Sequence, residues 1–79
     1  MLTIDEKIKL VTEMNDLLTE GITLKNFRRL HKIKSLLISD GISDKLTTMF
    51  DVQTQRYVHL IQLDDGTYEE FVSYMRGRN

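Results

Sequence analysis

The sequence predicts an α+β protein in which an N-terminal antiparallel αα-hairpin packs on a small C-terminal antiparallel β-sheet. Three observations carry this expectation. Apolar residues recur at helical spacing up to Ser39, alternation replaces that spacing beyond Gly41, and Asp65-Gly66 marks a hairpin turn late in the chain.

The first helix is predicted over Thr3 to Glu20. Thr3 and Glu6 form a T-x-x-E capping box, in which each side chain satisfies an orphan backbone N–H of the first turn. Ile4, Ile8, Val11, Met14 and Leu18 share one face at 100° per residue, with Leu10 and Leu17 widening it. Gly21 stands where a left-handed residue would end the helix. The second helix runs from Thr23 to about Ser39 on the same logic. Leu24, Phe27, Leu30, Ile33 and Leu37 form its expected buried stripe, and Asp40-Gly41 breaks it. Only Gly21 and Ile22 separate the helices, which makes them an antiparallel pair. Lys34 interrupts the apolar sector and Leu36 lies on the polar side.

Beyond Gly41, Leu46, Thr48, Phe50 and Val52 alternate with Thr47, Met49 and Asp51, as in a strand. Tyr57 to Leu63 is apolar on both faces, as a central strand would be. Asp65-Gly66 reads as a two-residue turn with both residues at positive φ, and Tyr68 to Tyr74 then supplies a third strand. The alternative makes Thr67 to Arg76 a third helix after a β-hairpin. Thr67 and Glu70 match a second capping box, and Tyr68, Phe71, Val72 and Met75 have helical spacing. Gly77-Arg78-Asn79 reads as a frayed tail.

A chain of 79 residues accommodates one domain, residues 1–79. It buries only about 60% of its unfolded surface, and with no cysteine it has neither disulfide nor thiolate zinc site to compensate. Size, the missing staple, Lys34 out of pattern and the apolar run Leu36-Leu37-Ile38 together make a homodimer an expectation. No apolar run approaches the roughly 18 residues that span a bilayer, and no basic stretch precedes an apolar block at the N-terminus. The expected setting is cytoplasmic, away from membranes. The absence of alanine fits an A/T-rich coding sequence, as in phage or mobile-element accessory genes.

Catalytic and metal chemistry finds no foothold, so neither a cofactor nor a metal is expected. His31 and His59 lie 28 residues apart, each without a ligand at i+4, and each reads as a boundary or solvent histidine. The serines lack a nucleophile elbow, and the four glycines stand singly at chain breaks rather than in a phosphate loop. A non-enzyme is expected.

Charge supplies the one surface feature. Eleven Lys plus Arg balance twelve Asp plus Glu, which argues against a bulk nucleic-acid binder. The distribution is uneven. Thr23 to Ser39 holds five basic residues and no acid, while Thr3 to Glu20 carries two basic residues against five acidic ones. Lys25, Arg28, Arg29 and Lys32 fall within an arc of about 100°. That stripe suits an acidic protein surface or a phosphate backbone, although a wet helix face paired to its acidic neighbour explains it equally. By subtraction, the expected function is that of a small regulatory or inhibitory protein that binds another macromolecule, most simply a protein. The alternative is a nucleic-acid-binding regulator using the same helix. A different contact face would be the side of the sheet bearing Tyr57, His59 and Ile61, or an open strand edge.

Overall fold

A computed structural model describes residues 1–78. Its elements run α1 (Ile4–Glu20), α2 (Leu24–Ser39), a 3₁₀ turn (Ser43–Lys45), β1 (Leu46–Asp51), β2 (Arg56–Gln62), β3 (Tyr68–Glu70) and α3 (Phe71–Arg76). The fold is α+β: two helices, then an antiparallel sheet of order β1-β2-β3, then a short helix.

The predicted start of α1 is realised in full. Thr3 Oγ1 accepts the Glu6 N–H at 3.1 Å, and Glu6 Oε1 accepts the Thr3 N–H at 2.9 Å. That second bond holds the Glu6 carboxyl below its ordinary pKa. Asp40, at the far end of α2, ties the chain start to the hairpin. Its carboxylate accepts the Leu2 N–H at 2.9 Å and meets Lys7 Nζ at 3.2 Å. Gly21 takes positive φ but not the left-handed helical form, since its ψ is 158°. The chain leaves α1 extended instead of curling back in a Schellman turn.

α1 is the central element. It packs against α2 on one flank, α3 on the other, and β2 beneath. The core is accordingly Val11 and Met14 from α1, Leu30, Ile33 and Leu37 from α2, Ile61 from β2, and Phe71 and Val72 from α3. Leu24 and Phe27, predicted to extend the α2 stripe, are not in it: they are 68% and 55% exposed. Helical period identifies apolar residues over a broad arc of α2, and α1 covers only the part centred on Ile33.

The sheet is a meander. Leu46 faces Ile61, Thr48 faces His59 and Phe50 faces Tyr57 across β1 and β2, with the last pair in edge-on ring contact at 5.0 Å. The β2–β3 loop has three residues, not two. Gly66 N–H bonds Leu63 O at 2.9 Å and Leu63 N–H bonds Thr67 O at 2.8 Å, with Gly66 alone at positive φ. Each reading of the last segment holds for part of it. Tyr68–Glu70 pairs with Leu60–Gln62, and the helix then begins at Phe71. Its cap is Glu70, whose carboxylate accepts the Val72 and Ser73 N–H groups, so the Thr67–Glu70 box does not form. β3 stops short of Tyr57, and the Tyr57 N–H that it leaves open is taken by Thr19 Oγ1 of α1 at 2.9 Å. Gly77 and Arg78 are tied down: their N–H groups bond Ser73 O and Met75 O, and the Arg78 guanidinium lies 4.4 Å from the Tyr74 ring centroid. Asn79, the rest of the predicted frayed tail, lies outside the described residues.

Candidate functional site

The N-terminal half of α2 combines charge with uncovered apolar surface. Thr23 caps the helix by accepting the Asn26 N–H at 3.1 Å, and Asn26 Nδ2 donates back to Gly21 O at 3.1 Å, which fixes how α2 leaves the turn. With Leu30, Ile33 and Leu37 buried, the helical period turns Leu24 and Arg28 outward, with Phe27 and Lys32 on either side of them. Ile22, in the connection just before, is 63% exposed.

The four basic residues do not act alike. Lys25, Arg28 and Lys32 are exposed, and none forms an ion pair among the described residues. Arg29 instead reaches α1, where Nη2 donates to Glu13 Oε1 at 2.8 Å and Nε to Glu13 Oε2 at 2.5 Å. This fork-on-fork pair lowers the Glu13 pKa and raises that of Arg29, each chiefly through the hydrogen bonds between them. Arg29 therefore clamps the hairpin, and the stripe open to a partner is Lys25, Arg28 and Lys32. The sequence contains the acidic mate at the right height on α1. Antiparallel registration, which spacing alone does not supply, is what selects it.

The other candidate face is closed. The β2 residues proposed to face solvent point at the helices: His59 is 3% exposed, Ile61 is buried, and only Tyr57 is partly open. His59 is no boundary residue. Its Nδ1–H donates to Asn15 Oδ1 at 2.6 Å, and Nε2 faces Thr48 Oγ1 at 3.4 Å. Burial, followed by the nearby Lys34 charge, lowers its pKa to about 4. A polar network of His59, Asn15 and Thr48 thus sits at the seam between α1 and the sheet. Its mid-strand signal, a histidine between Val58 and Leu60, is indistinguishable in sequence from an exposed one.

Lys34, out of pattern in sequence, lines an open groove of about 210 Å³ with Met14, Leu37, Ile38, Leu46, Thr48 and His59. That is below the roughly 300 Å³ at which small-molecule sites begin. No helix is long and apolar enough to cross a membrane, and no group of three His, Cys, Asp or Glu side chains could hold a metal ion, both among the described residues.

The exposure of Phe27 makes a direct expectation. Phe27→Ser should leave the thermal midpoint within about 4 °C of the parent, since surface substitutions usually change stability by less than about 0.5 kcal/mol. A drop of 10 °C or more, roughly the effect of a core truncation, would place the ring back in the core.

No protein-family model, no curated protein and no solved structure matches the chain.

Proposed function

We propose that this chain is a small, non-enzymatic regulatory or inhibitory protein of the cytoplasm that works by binding another protein through the N-terminal half of α2. The supporting observation is the pairing, on one exposed helix surface, of uncovered Leu24 and Phe27 with the unpaired cations Lys25, Arg28 and Lys32. Interfaces concentrate their binding energy in aromatic and arginine residues set in an apolar centre, with charge at the rim steering encounter. The partner this surface suits is an acidic-rimmed apolar groove. The engagement of His59 with Asn15 and Thr48 supports a binding role over a catalytic one, because both ring nitrogens already have protein partners.

A nucleic-acid-binding role is the second reading. The exposure of Phe27 beside Arg28 favours it, since an aromatic face next to a cation is what base stacking uses.

Two variants separate the readings in affinity capture from the native host's extract, read by mass spectrometry. Reversing Lys25, Arg28 and Lys32 to glutamate should abolish capture while far-UV circular dichroism stays unchanged, because none of the three makes an ion pair among the described residues. Leu24→Ser with Phe27→Ser should weaken a protein partner at least tenfold. Against a mixed-sequence single strand, affinity falling steeply with salt, at a log–log slope near −0.7 per phosphate, would favour the second reading. Normal capture by the reversed protein would leave the stripe as a solvated face.

A further inference from the structure

β1 is an edge strand: among the described residues it pairs only with β2, while the Leu46 and Thr48 side chains line the groove shared with Lys34, Leu37 and Ile38 of α2. Antiparallel ladders alternate which residues direct their N–H and C=O groups to a given neighbour. On β2 the alternation is fixed by two bonds: the Leu63 N–H runs toward the β3 side, to Thr67 O, and the Tyr57 N–H runs to the same side, to Thr19 Oγ1. Odd-numbered β2 residues therefore face β3, and even-numbered ones bond β1. Their partners on β1 are Thr47, Met49 and Asp51, opposite Leu60, Val58 and Arg56. It follows that Leu46, Thr48 and Phe50 direct their backbone groups away from the sheet. No backbone hydrogen bond reaches those groups among the described residues.

Sheet edges are normally guarded by brevity, charge, proline, a bulge or a covering element. The β3 edge is guarded: it is three residues long and carries Glu69 and Glu70. β1 has six residues in unbroken register, with no charged side chain or proline between Leu46 and Phe50, and Thr47 through Phe50 are all exposed. Such an edge is a template for a further strand.

The sequence of β1 says which strand fits. Set antiparallel to a copy of itself about a two-fold axis through Thr48, Leu46 falls opposite Phe50 of the copy, Thr47 opposite Met49, and Thr48 opposite Thr48. Every outward-facing backbone group of Leu46, Thr48 and Phe50 then finds a partner on the copy. The same register brings Lys45, the last residue of the 3₁₀ turn, to the level of Asp51 at both ends. Asp51 Oδ1 accepts the Gln53 N–H and its other oxygen can meet the ammonium, so each end carries a complementary charge pair. Both members of each opposed pair also lie on the same face, as a continuous sheet requires. We propose that the β1 edge is a self-association surface, which joins two copies of this chain into one six-stranded antiparallel sheet in the register centred on Thr48. The surface shares no residue with the basic stripe of α2, so the proposal stands whether or not α2 has a partner.

Sedimentation equilibrium on the full chain tests it. The parent protein should be a dimer at high micromolar concentration. Lys45→Asp and Asp51→Lys each convert both end pairs from attraction to repulsion, and each should weaken the dimer roughly tenfold, because symmetry counts the change twice. Combining them restores opposite charges and should return the dissociation constant to within about twofold of the parent. Thr48→Pro removes an N–H that points away from β2, so it should give a folded monomer. If that variant fails to fold, the charge pair still decides. A parent monomer at high micromolar concentration overturns the proposal. So does a dimer indifferent to both single reversals, or one that the combined reversal fails to restore.

Discussion

Phe71→Ala is expected to leave little folded protein at room temperature. Phe71 is completely enclosed at the junction of β3 and α3, within the cluster that holds Val11, Met14 and Ile61. Truncating a buried phenylalanine costs about 3 to 5 kcal/mol, partly in lost transfer energy and partly in the cavity left behind. A domain of this size is stable by about 4 to 12 kcal/mol on the usual per-residue range, and short chains without a staple fall toward the lower end. A urea titration followed by circular dichroism reads the effect. A midpoint like that of the parent would mean that α3 contributes no essential packing.

Acid should weaken the fold well above the range where carboxylates titrate. Folded His59 takes up a proton only near pH 4, whereas an unfolded histidine does so near 6.5. Between those values the unfolded chain binds more protons, so stability is full above pH 6.5 and is lost as the pH falls toward 4. The total is about 3 kcal/mol, and about 1 kcal/mol has gone by pH 5.5. The Glu13 and Asp40 pKa values are lowered by the hydrogen bonds each accepts, chiefly from Arg29 and from the Leu2 backbone. Their contribution has the same sign but lies below the ordinary carboxylate range, so the window from pH 7.5 to 5.5 isolates His59. His59→Gln should flatten the denaturant midpoint across that window. An equal slope in parent and variant would show that His59 is solvated in the folded state.

Sequence pattern reached the elements more surely than their environments. The α1 capping box, the short connection to α2 and the existence of β1 are local signals, and each is realised within a residue or so, although β1 ends before Val52 and its burial does not alternate. What the pattern did not carry is coverage. Leu24 and Phe27 keep helical spacing with Leu30, yet the reach of α1 over α2 ends before their arc. His59 shows the reverse error. An imidazole between apolar neighbours looks solvent-bound until Asn15, 44 residues away, is seen to accept its hydrogen bond. The last segment read two ways for a different reason. Strand and helix signals overlap there because the chain spends three residues in the sheet before turning into a helix, and Glu70 closes the strand and caps α3 at once. For the candidate site, all four basic residues were visible in sequence. The division between Arg29, held by Glu13, and the three left open needed the hairpin's register.

The position of α1 between α2 and α3 has a consequence for how the chain is made. Val11 emerges during synthesis 60 residues ahead of Phe71, the side chain that helps to enclose it. At the usual 5 to 20 residues per second, that interval is about 3 to 12 s. Throughout that interval α3 is missing, so one side of Val11 and Met14 stays bare whether or not α1 and α2 have already paired. A nascent chain in that condition presents an apolar face that general chaperones recognise. Synthesis slowed between β2 and α3 would lengthen that exposure, and the yield of folded protein should fall with it even though the finished sequence is unchanged.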